Sequence, residues 1–281
     1  MTARRLDPVE MPTCAMLSSR QVTAALHFFA EGGYQRGVGQ DSFVALSQPS
    51  TGRCIHNVCN AVSDLLADRW IVFPTTAAQR ERISPSIGIS QCDCTHTHIA
   101  ITTPHEDEEA YYNHHEFHSL NVQGICALNV NARFPGRVPD QFIWRDSAVK
   151  VEMRRLHRER IDDFYFIGVS GHAPEQCMLT PFTYAVEGTP ERFFGMLKGR
   201  FRCLFQDRTL HHVHAQEARI IETCVVKHNV MIHYIIPFDE ETMVAEPYVP
   251  AQMKIMLPMV GGKRGLTLYS GISTAKNLGR K

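Results

Sequence analysis

The chain predicts an α/β layer fold, and three observations carry that prediction. Residues Cys92 to Thr103 alternate strictly, with Asp93, Thr95, Thr97, Ile99 and Ile101 on one side and Cys92, Cys94, His96, His98 and Ala100 on the other, which is the period of a strand. The short apolar run Phe164 to Val169, closed by Ser170-Gly171, reads as a buried strand. Around these strands stand stretches with helical period, so strands and helices must share layers.

The first helix is expected over Arg20 to Ala30, where Val22, Ala25, Leu26 and Phe29 share a face and Gly32-Gly33 stops the run. A second, from about Ser50 to Trp70, gathers Ile55, Val58, Val62, Leu65 and Leu66. The pair forms a helical module over residues 15–74. Two readings of it stand side by side: a helix-turn-helix-like unit with Ser50 and Arg53 at the start of the second helix touching DNA, or a plain helical pair packed on the core. A polar, proline-containing connector is expected over 75–90. Extended runs follow at Ser119 to Leu128 and Val130 to Phe134, then the turn Pro135-Gly136 and a charged helix over Ser147 to Arg160. Glu191 to Leu204 is amphipathic, with Phe193, Phe194, Leu197, Phe201 and Leu204 on one stripe. A last helix spans His214 to Ile235, and residues 237–281 read as an irregular tail.

With 281 residues the chain is long for one domain and short for three, so one main core with a small appendage is expected. No apolar stretch reaches membrane-spanning length and the first twenty residues carry no signal-peptide core, so an intracellular protein without a membrane is expected. Nine scattered cysteines then read as reduced, mostly buried thiols. The 29 basic residues balance the 29 acidic ones, so contact with nucleic acid must come from local patches.

Three carboxylates stand out by position: Asp93 in a strand, Asp140 after the Pro135-Gly136 turn, and Glu191 at the head of an amphipathic helix. Such hard oxygen donors suit Mg2+ or Mn2+, and a pair of those ions supports phosphodiester hydrolysis. Spacing alone does not bring them together.

The runs Tyr112-Asn113, Phe117-His118-Ser119-Leu120-Asn121-Val122-Gln123, Phe134-Pro135-Gly136-Arg137-Val138-Pro139-Asp140 and Leu179-Thr180-Pro181-Phe182 resemble the catalytic region of PIF/Harbinger transposases and the host nuclease descended from them. Asp93-Cys94-Thr95-His96 upstream, Glu191 through Leu204 downstream, and Lys227-His228-Asn229 extend the resemblance over most of residues 22–235. It implies a DDE nuclease domain over 91–236 with an RNase H-like mixed sheet flanked by helices. It also implies that Asp93, Asp140 and Glu191 are catalytic and hold the divalent metal. An additional family aspartate falls on Val169, where Gly168-Val169-Ser170-Gly171 keeps the frame and loses the acid. The implied function is a metal-dependent DNA nuclease weakened by that loss. The alternative is a catalytically inactive DNA- or protein-binding relic.

Cys92, Cys94, His96 and His98 lie along one strand, too far apart to close on one ion, so no zinc site is expected there. His114, His115 and His118 read as polar edge residues near phosphate, where the family more often carries a basic pair. Lys198, Arg200 and Arg202 are the candidate phosphate contacts of the core. Arg154, Arg155 and Arg158 interleave with Glu152 and Glu159 and read as a solvated face. DNA is the expected partner, with a protein partner supplying DNA targeting. Nuclear residence, with the cytoplasm as a second location, follows from the resemblance.

Overall fold

Ser18 opens the first helix, α1 (Ser19–Glu31), through a reciprocal cap: its hydroxyl accepts from Gln21 N while Gln21 Oε1 accepts from Ser18 N at 2.9 Å. Gly32 closes it with φ 64°, a conformation that costs glycine nothing. A carbon at its Cβ position would also stand 2.6 Å from the Arg202 backbone. The computed structural model describes residues 17–32, 34–42, 44–79, 89–100, 108–125, 129–159, 161, 165–168, 172–179, 190–205, 208–237, 253–256 and 266–269. A short helix, α2 (Gln35–Gln40), follows where the sequence offers two glycines and no apolar period. The long helix α3 (Gln48–Trp70) starts from Ser47, whose hydroxyl accepts from Ser50 N, with proline tolerated in its first turn.

Five strands form the main sheet: β1 (Ile89–His98), β2 (Ser119–Ile125), β3 (Asn129–Pro135), β4 (Tyr165–Ile167) and β5 (Met178–Leu179), in the order β3-β2-β1-β4-β5. β2 runs antiparallel to both β1 and β3, whereas β1, β4 and β5 are parallel, so the sheet is mixed. The remaining helices are α4 (Glu108–Tyr111), α5 (Asp140–Arg145), α6 (Ala148–Arg158), α7 (Pro190–Arg200) and α8 (His214–His233), with a 3-10 turn at Arg202–Leu204. A separate antiparallel pair, Met253–Met256 with Leu266–Tyr269, falls within the segment read as an irregular tail.

Every residue of β2 is buried, so helices must cover both faces of the sheet. Leu120 and Val122 enter a core with Phe28 and Phe29 of α1, Ile55 of α3, Phe194 and Leu197 of α7 and Ile221 of α8. Ile125, of the opposite alternation, enters a second core with Trp144, Met153, Leu156 and Phe166. The expected α/β layering is therefore present. α1 and α3 share the first core with the sheet, which is the packing that the plain helical-pair reading requires. Lys227 of α8 packs against that core, its ammonium 4.5 Å from the Phe29 ring centre and 5.2 Å from that of Phe201.

Candidate functional site

Asp93 belongs to β1, in register with Gly124 of β2. Gly124 is the point where α7 meets the sheet: a carbon at its Cβ position would stand 2.6 Å from the Phe194 ring and 2.9 Å from Phe193. Glu191 is the second residue of that helix. The strand register and the helix docking thus bring positions 93 and 191 to the same side of the sheet.

Asp140 is held elsewhere. It is the first residue of α5, where a carboxylate suits the positive end of a helix. Its Oδ1 accepts from Asn121 Nδ2 at 2.9 Å, and the same amide donates to Val138 O at 2.9 Å. Asn121 pairs with His96 across the ladder, on the alternation opposite to Gly124 and position 93. The Asp140 carboxylate is thus tied to the face of β2 that carries Asn121, the alternation opposite to Gly124. A strand read in isolation cannot reveal this, because the side taken by Asp140 is set by α5.

The donors around Asp140 are mostly nitrogen. His96 is half-buried, and burial pulls its pKa down to about 4 although the Asp140 charge pulls the other way. His114 and His115, from the segment before β2, bring their rings to 5.6 and 5.7 Å from that of His96. The buried Asn121 Oδ1 has no hydrogen-bond partner among the described residues. Imidazole and amide donors suit magnesium poorly. Val169 lies outside the described residues.

The candidate DNA contacts divide into two kinds. Arg53 is exposed, and its guanidinium donates to Ser50 Oγ at 3.0 Å, so both are presented together at the start of α3. Arg202 is exposed too. Lys198 Nζ instead donates to His96 O at 3.3 Å and Arg200 Nη2 to Ile236 O at 3.1 Å, contacts that tie α7 to the sheet and to the end of α8. On α6, Arg155 is held by Glu152 at 2.7 Å and Glu159 at 2.6 Å, and Arg154 meets Glu175 at 3.2 Å, as expected of a solvated, internally paired face.

Residues 92–229 match the family model of the DDE superfamily endonucleases. The matched segment runs from Cys92 in β1 through most of α8 and includes Asp93, Asp140 and Glu191; Ser50 and Arg53 precede it. No curated protein and no solved structure matches the chain. Among the described residues no helix is long and apolar enough to cross a membrane. The grouping of His96 with His114 and His115 is the feature that reading the sequence missed. The signal available was the His114-His115 pair itself, just before β2.

Proposed function

We propose that the chain is a Harbinger-type, transposase-derived nuclease that hydrolyses DNA phosphodiester bonds with Mg2+ or Mn2+. The observation that carries this reading is the docking of α7 at Gly124, which supports a site built from Asp93 on β1 and Glu191 on α7 inside the endonuclease segment. The strand order, with β2 antiparallel inside an otherwise parallel central group, supports an RNase H-like core over 91–236. In this site the metal supplies charge neutralisation and an activated water. Asp93 from β1 and Glu191 from α7 would hold it. Asp140 is the third carboxylate of the proposed set, and its place beside Asn121 gives it a weaker claim to direct ligation.

DNA is the proposed substrate and the nucleus the proposed location. The helical module over 15–74 supplies a duplex contact through Ser50 and Arg53, with Arg202, Lys198 and Arg200 lining the core's side, and a protein partner adds targeting. Val169 favours a second reading, a relic that binds DNA or protein without cutting, because valine offers no ligand where the family has an acid. Incubating supercoiled plasmid with purified protein separates the two. Slow nicking in Mn2+ that disappears in EDTA is the outcome expected of the nuclease. Binding with no nicking at any metal concentration is the outcome expected of the relic.

A further inference from the structure

We propose that His96, His114 and His115 together bind one divalent transition-metal ion of the zinc or cobalt kind, leaving a fourth position for water. This site is separate from the carboxylate pair and does not depend on the chain cutting DNA.

The ligand atoms come from two segments. His96 lies on β1, and His114 and His115 lie in the tight hairpin that leads into β2, with ligand atoms of all three within 4.8 Å of one another. The two segments are what a strand alone could not provide. Three nitrogens bound to one zinc ion at about 2.0–2.1 Å stand roughly 3.3 Å apart. Closing from the observed spacing asks the exposed His114 and His115 side chains to move by about an ångström, a rotamer adjustment for exposed side chains.

The hairpin is already built. Tyr112 bridges His118, Asn113 N donates to Phe117 O at 3.0 Å, and Asn113 Oδ1 accepts from His115 N at 2.8 Å. Behind the cluster, Ser119 Oγ accepts from the buried Asn113 Nδ2 at 2.8 Å and lies 3.0 Å from His96 Nδ1. If Nδ1–H donates to that hydroxyl, Nε2 keeps its lone pair for the ion, the arrangement in which a second hydrogen bond orients a metal-bound imidazole. The nearby Asp140 charge favours a cation here, while the Lys198 ammonium on His96 O opposes it.

The bland alternative is a patch of stacked rings, since His115 also stacks on Phe117. A ring patch takes up no metal. The test uses the full chain, without a polyhistidine tag, stripped with chelator, dialysed and titrated with Zn2+ by calorimetry at pH 7.5 and with Co2+ by visible absorption. One equivalent is expected, with the intense cobalt bands of a four-coordinate site. The double variant H114A/H115A changes exposed side chains only and is expected to weaken Zn2+ binding about tenfold or more. D93N and E191Q are expected to bind Zn2+ as the wild type does, which keeps this site distinguishable from the nuclease metal. The chain has 15 histidines, so the exposed His211→Ala serves as the control for adventitious binding and is expected to change nothing. Absence of uptake by the wild type, or undiminished uptake by H114A/H115A, overturns the proposal.

Discussion

Gly124 shows how a single residue governs the site. Phe193 and Phe194 fill the space a side chain would need, so Gly124→Ala must push α7 off the sheet or force the rings out of their rotamers. A loss of about 1–3 kcal/mol in urea unfolding is expected. Any nuclease activity should fall further than stability does, because Glu191 travels with α7. The sequence made Asp93 and Glu191 legible as isolated acids. It did not make Gly124 legible, since the need for glycine arises only when a helix from 70 residues downstream lands on it. The same holds for His96: its neighbours along the strand were visible, and its neighbours across the hairpin were not.

Elements were legible where local chemistry marks their ends. Ser18 with Gln21, Gly32 and Ser47 fix α1 and the start of α3 within a residue or two of the expected bounds. α2 escaped because Gly37 and Gly39 lower its propensity, and it persists through burial of Val38 in the first core. The face carrying Asp140 was illegible for a different reason. It depends on how α5 packs after β3, and that ladder shifts register between Asn121 and Gln123. A tie between elements gives the next prediction. Lys150 of α6 is buried and pairs with Glu175 at 2.6 Å, while Arg154 and Gln141 reach the same carboxylate. Glu175→Ala leaves the Lys150 ammonium buried without its counter-ion and is expected to cost about 3–5 kcal/mol. Lys150→Met in the same background should recover much of that in a double-mutant comparison. At α3, Arg53→Ala is expected to reduce the slope of log affinity for duplex DNA against log salt by roughly one unit, with no change in thermal stability.

For the whole molecule, buried titratable groups set the pH range of stability. Burial lowers His96, His212 and His228 to about 4. The unfolded chain therefore takes up protons on these residues below about pH 6.5 while the native state does not, and stability is lost as pH falls from there towards 4. Glu217 behaves oppositely. Burial raises it to about 8, outweighing the hydrogen bond from His212 N, so it stays protonated beside His214 while the unfolded chain ionises. Stability then declines as pH rises from about 4.5 to 8 on its account. Among the described residues, three histidines against one glutamate place the maximum near pH 6.5, where unfolded histidine titrates. Glu217→Gln should remove the alkaline decline, giving a few kcal/mol over the wild type at pH 8 and little difference at pH 4.5, as read by chemical unfolding across pH.

The proposed nuclease rests on the acids of β1 and α7, positioned on one side of the sheet, as holders of its metal. The most direct measurement compares the Mn2+-dependent plasmid nicking rates of the wild type, Asp93→Asn, Glu191→Gln and Asp140→Asn at equal folded fraction. Nicking that falls to the metal-free background in the first two, and only in part for Asp140→Asn, is the predicted result. Wild-type rates in Asp93→Asn or Glu191→Gln would contradict it.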